Sequence, residues 1–175
     1  MKKRTLVISV LLVAALALGI GYAALSDTLT INGTIKSDGG AMSDTFDGLV
    51  YFTNASVTNE PAAHVTATVT AAYGGDEASY TIEGMKVVGD KVEMEFNIHN
   101  AYSETVWVTI ADHEENTNEC LIITNNYTGP IEIATGATVA FTISVELDSL
   151  TSETIDLSHN ISFNVSDVAP AAAEE

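Results

Sequence analysis

Apolar and polar residues alternate with a period of two along most of this chain. Val92, Met94, Phe96 and Ile98 share one phase, and Glu93, Glu95, Asn97 and His99 share the other. Val106, Val108 and Ile110 oppose Thr105, Trp107 and Thr109, after a turn signal at 100–104. The same period recurs in Leu29, Ile31 and Ile35 against Thr28, Thr30, Asn32 and Thr34, and in Val65, Ala67, Val69 and Ala71 against Thr66, Thr68 and Thr70. It returns in Val139, Phe141, Ile143, Val145 and Leu147, and in Ile161, Phe163 and Val165. A two-residue period sends successive side chains to opposite faces, so each stretch predicts a half-buried antiparallel strand. Glycine-containing turn signals separate them, among them Gly74-Gly75-Asp76, Gly89-Asp90 and Thr128-Gly129-Pro130. The 3.6-residue helical repeat is absent: 62–72 is threonine-rich, and 149–157 has room for one helical turn. The pattern predicts a single antiparallel β-sandwich of eight to ten strands, jelly-roll or immunoglobulin-like, with the strand order open.

The first residues follow another rule. Lys2, Lys3 and Arg4 precede an apolar run from Leu6 to Ile20, the layout of a secretory signal. Gly21-Tyr22-Ala23 supplies the small residues a signal peptidase needs, which predicts a signal helix over 1–23 and cleavage between Ala23 and Ala24. The alternative is an uncleaved anchor, because the apolar stretch to Leu25 reaches the roughly twenty residues of a spanning helix. The remainder divides into an N-terminal strand at 24–36, a flexible linker at 37–45, a sandwich core at 46–166 and a disordered tail at 167–175.

Removing the signal sharpens the charge. The whole chain carries −18; without the three basic residues of the signal, only Lys36, Lys86 and Lys91 face the 24 acids, a net charge of −21. That balance argues against nucleic acid, whose phosphates require clustered Lys and Arg. It favours solubility outside the cell, with a self-repulsion that salt or divalent cations screen. Cys120 is the only cysteine, so no intramolecular disulfide forms and packing must supply the stability.

The chemistry-bearing residues do not converge in sequence. Asp112, Glu114, Glu115 and Glu119 form an acidic loop without the spacing or glycine of an EF-hand. His64, His99, His113 and His159 are scattered, and His113-Glu114-Glu115 is not the paired-histidine zinc motif. No G-x-S-x-G elbow is present. The reading is of a protein that is not an enzyme and has no catalytic residues, no cofactor and no metal. Trp107, with Tyr102 nearby in sequence, offers a surface for stacking on a sugar or a protein contact. Sequons stand at Asn32, Asn54, Asn126, Asn160 and Asn164.

Gly21, Tyr22, Ala23, Ala24, Leu25, Ser26, Asp27 and Thr28, following a basic and apolar leader, resemble the export signal and mature N-terminus of the TasA/camelysin family. Leu25 stands where that family usually has Phe. The resemblance implies removal of the signal by a dedicated, membrane-bound signal peptidase, and a jelly-roll product that polymerises into extracellular biofilm matrix fibres. It does not extend to the metalloprotease activity described for some members, since the zinc motif is missing. Physics supplies a matching mechanism. A first mature strand on a glycine-containing tether can leave its own sheet and pair with the next subunit, as in donor-strand addition. Burial of Leu29, Ile31 and Ile35 would contribute about 5 to 9 kcal/mol before ordering costs. Each subunit then donates and accepts, giving a head-to-tail homopolymer. The alternative from another class is a monomeric extracellular binding module for glycans or surface proteins, in which this strand folds back as an ordinary edge.

Overall fold

The structure, a computed structural model, describes residues 29–37, 46, 48–113, 118–150 and 156–170. The signal at 1–23 with Ala23 and Ala24, the linker residues 38–45 and the tail end 171–175 lie outside the described residues.

Among the described residues ten strands follow one another: β1 (Leu29–Ser37), β2 (Val50–Val57), β3 (Thr66–Ala71), β4 (Glu77–Met85), β5 (Lys91–Asn100), β6 (Val106–His113), β7 (Leu121–Asn125), β8 (Ile131–Ile133), β9 (Thr138–Leu147) and β10 (Asp156–Ser166). They form a six-stranded sheet, β3-β4-β1-β10-β6-β8, and a four-stranded sheet, β2-β5-β9-β7. The architecture is all-β and sandwich-like. The alternation shows directly in β5, where every second residue from Val92 to Asn100 is buried and the residues between are partly exposed. Apolar side chains of the two sheets meet in one core. Phe141 of β9 and Phe163 of β10 pack edge-to-face with ring centroids 5.0 Å apart, and Tyr80 of β4 meets Phe96 of β5 at 6.3 Å. Such aromatic contacts between sheets add to the burial energy of the rings themselves.

One pairing departs from the antiparallel expectation. β1 runs parallel to β10 over Thr30 to Ser37 and antiparallel to β4 over Leu29 to Lys36. Parallel neighbours require a long connection, which here is nearly the whole domain between the first strand and the last. β1 is therefore an interior strand of the larger sheet, with a backbone partner on each side, and not an edge.

Two buried polar side chains hold the frame. Asn100, fully buried, donates through Nδ2 to the carbonyls of Glu104 and Ile133, and its Oδ1 accepts from Tyr102 N–H, all at 2.8 Å. It ties the turn after β5 to the end of β8. Asp90, 6% exposed, accepts at one carboxylate oxygen from the N–H groups of Lys86 and Val87 and meets His64 Nε2, each at 2.8 Å. These bonds close the turn from β4 to β5 and so fix one end of β4. Burial works against the Asp90 charge, but the Lys86 and Val87 amides and the His64 ring outweigh it and hold the carboxyl below its usual range.

A carboxyl with a lowered folded-state pKa gives stability that is present above its unfolded value and lost as pH falls through the folded one. Asp90→Ala is thus expected to cost about 2 to 4 kcal/mol at neutral pH, from the stranded amides. The penalty should shrink progressively below pH about 4. Chemical denaturation of both proteins across pH 2 to 7 measures the difference; a penalty independent of pH would contradict it.

Candidate functional site

The strand expected to be mobile is the one whose surroundings are most specialised. β1 fills a slot whose walls are β4 and β10. Of the three residues assigned to a donor strand, Ile35 is fully buried, paired in register with Ala78 on β4 and Ile161 on β10, themselves buried. Ile31 lies in register with Ile82 and Leu157, and Leu29 with Met85 across a register shift.

The centre of the slot is a polar row. Tyr80 on β4, Gly33 on β1 and His159 on β10 stand side by side across three strands. Tyr80 Oη lies 2.7 Å from His159 Nδ1, and both side chains are only 2% exposed. Neighbouring strands are about 4.8 Å apart, so residues two strands away can join only if a side chain passes over the strand between them. Gly33 permits this. A Cβ placed on Gly33 would fall inside the Tyr80 ring. Gly33 is not among the glycines with positive φ, so space and not backbone conformation demands glycine there. Burial pushes the Tyr80 pKa well above its ordinary value, which keeps the phenol protonated and able to donate to Nδ1.

The remaining candidates are dispersed. Asp112 and His113 end β6, Glu114 and Glu115 lie outside the described residues, and Glu119 is exposed in the turn before β7. Among the described residues no group of three or more His, Cys, Asp or Glu could hold a metal ion. His64 binds Asp90, His99 Nδ1 lies 3.0 Å from Thr138 Oγ1, and His159 belongs to the slot. Trp107 is half-buried on β6, opposite the buried Val106 and Val108. Tyr102 packs edge-on against Phe46 at 5.2 Å. Lys91 pairs with Glu93 at 2.7 Å on the surface. Cys120 is partly buried against the core. Asn126 is engaged in structure, its Nδ2 donating to Ala140 O and its Oδ1 accepting from Thr142 N.

Two features escaped the sequence reading. The first is the clasp itself. Its signals were a glycine inside an alternating stretch away from any turn, and a histidine on the apolar phase of Ile161, Phe163 and Val165. The second is an aromatic ledge outside the four-stranded sheet. Tyr51 on β2 lies 5.5 Å from Tyr73 and 5.3 Å from His99, and Tyr73 is 76% exposed. The hydrogen bond with Tyr73 raises the Tyr51 pKa above its ordinary value.

Comparison with protein-family models, with curated proteins and with solved structures finds no match for this chain.

Proposed function

We propose that this chain is a secreted structural protein, a subunit of extracellular biofilm matrix fibres that assemble by exchange of the N-terminal strand. The sandwich would be of the jelly-roll or immunoglobulin-like type. The observation that carries the reading is the position of β1: a terminal strand seated inside a sheet, antiparallel to β4 on one side and parallel to β10 on the other. Without it, both walls would present unpaired backbone groups and the buried neighbours of Ile35, an interior exposed as two sheet edges. A β1 segment from a second copy satisfies the same groups as the chain's own. Cleavage between Ala23 and Ala24 frees the segment, and the residues 38–45 tether it, with a maximum span of about 29 Å. Since every subunit gives one strand and receives one, growth is head-to-tail and open. Each mature subunit carries −21, so assembly waits on salt or divalent cations to screen the repulsion.

Electron microscopy of residues 24–175 over a range of salt, calcium and pH tests this. Filaments are expected once the charge is screened, with dispersed monomers at low ionic strength. Monomers under every condition would overturn the fibre reading. They would leave the second reading, an extracellular binding module, which the exposed Tyr73 beside Tyr51 and His99 favours because stacked aromatics suit the apolar face of a sugar.

A further inference from the structure

We propose that the slot between β4 and β10 is a peptide-binding site that selects its strand by sequence, requiring glycine at the Tyr80–His159 row and a bulky aliphatic residue two positions later. The ligand it fits is the segment of this same chain around Gly33-Thr34-Ile35, offered by a second copy. The identity of the donor rests on the fibre reading above; the selectivity does not, because the clasp acts on whichever strand fills the slot.

The argument begins with register. A strand that enters a slot with a continuous apolar floor can seat itself in several registers, since backbone ladders are indifferent to sequence. A one-residue slip is excluded because it exchanges the two faces of the strand. A two-residue slip keeps the faces and is the real competitor. Here it would bring Ile31 or Ile35 to the row that Gly33 occupies, under a ring that leaves no space for a Cβ. The Tyr80–His159 hydrogen bond closes only over a residue without a side chain. Every slipped register therefore either clashes with the ring or breaks a bond between two buried polar groups.

The other strands cannot substitute. Of the ten, only β1 and β4 contain glycine, and Gly84 on β4 has φ +83°, a bent conformation unsuited to the middle of a straight inserted strand. Gly33 is thus the one glycine in a described strand that keeps an ordinary extended backbone. Among the described strands the matching segment, Gly33-Thr34-Ile35, occurs once, so one copy's strand fits in one place and in one register. For a polymer, that uniqueness makes every junction alike.

The test uses the mature chain, residues 24–175, and a cycle of variants followed by thermal unfolding. Gly33→Ala is expected to lower the melting temperature by about 5 to 10 °C, since the methyl group meets a fixed ring. In a Tyr80→Ala background the same substitution should have little effect, because the ring is gone. In a Tyr80→Phe background the ring remains and the penalty should persist. Equal penalties in all three backgrounds would overturn the proposal. Should Gly33→Ala alone fail to fold, recovery of a folded protein in Gly33→Ala/Tyr80→Ala gives the same answer, and failure of that double variant where Tyr80→Ala folds overturns it.

A second arm separates this from the fibre reading. Gly33→Ala chains have a strand that fits only an opened slot, and Tyr80→Ala chains supply such a slot. Under screened conditions, mixing the two should produce filaments containing both chains, with the Gly33→Ala strand seated in the Tyr80→Ala slot. If the cycle shows coupling but mixing produces no shared filament, the clasp stands and strand exchange falls; if neither appears, both fall.

Discussion

Replacing Ile35 by Asp is expected to abolish cooperative folding of the mature chain and, with it, any assembly. Ile35 is fully buried between Ala78 and Ile161. Truncating such a side chain to alanine costs about 2 to 5 kcal/mol. Asp adds a buried charge that nothing opposite can pair, since its register partners are apolar. A domain of this size has a margin of about 5 to 15 kcal/mol, so the combined penalty is comparable to the whole. Asn32→Asp is the control: the residue is exposed on the outer face of the same strand, and an Asp there can still accept from Thr81 Oγ1. Its effect should stay within about 0.5 kcal/mol. Denaturant unfolding of the two variants beside the parent decides the matter. If Ile35→Asp proves as benign as Asn32→Asp, the strand is not seated in a slot of any chain, its own or a neighbour's.

The asymmetry between two residues three apart on one strand shows what the alternation could and could not reveal. The period of two marked β5, β6, β9 and most of β10 because each has an apolar phase long enough to stand out from its threonines and glutamates. It passed over β4, whose inward residues Ala78, Tyr80 and Ile82 include one very small and one polar-tipped side chain, and β8, which has only Ile131, Glu132 and Ile133. Strand order was beyond its reach, because periodicity records which face a residue occupies and nothing about which strand lies beside it. The parallel contact of β1 with β10 joins residues separated by most of the chain. No local pattern announces such a pairing.

The site was half legible for the same reason. Ile35 was identified as a residue that seeks burial, and it is buried. Its companions in the slot were not identified as a group: Tyr80 and His159 are 79 positions apart, and only the intervening strand explains why either is polar. Gly33 lies in a threonine-rich strand whose local pattern assigns it no role. Its meaning lies in the ring above it, which belongs to another strand. His159 was the strongest overlooked clue, since a histidine on the inward phase of an otherwise aliphatic and aromatic strand needs a partner inside the core. The acidic loop, by contrast, stands out by composition alone, and Glu114 and Glu115 lie outside the described residues. Acidity in this chain is spread along the sequence, and under the fibre proposal it would set the conditions of assembly.

Whether β1 lies in its own slot or in a neighbour's is the central claim, and one covalent measurement decides it. Thr34 on β1 and Ser79 on β4 are register partners. Directly opposed antiparallel residues have Cα atoms about 4.5 to 5.5 Å apart, within the range a disulfide spans. In a background with Cys120→Ser, one batch of mature chain carries Thr34→Cys and a second carries Ser79→Cys. The two are mixed at low salt, brought to screening conditions and oxidised. A third protein carrying both cysteines reports, through an internal crosslink, that the pair can form. The account predicts a covalent heterodimer of the two single-cysteine chains, abundant when salt or calcium is present and scarce when it is not. A crosslink confined to the double-cysteine chain as monomer, with no heterodimer at any ionic strength, would show that β1 never leaves its own sheet and would contradict the account.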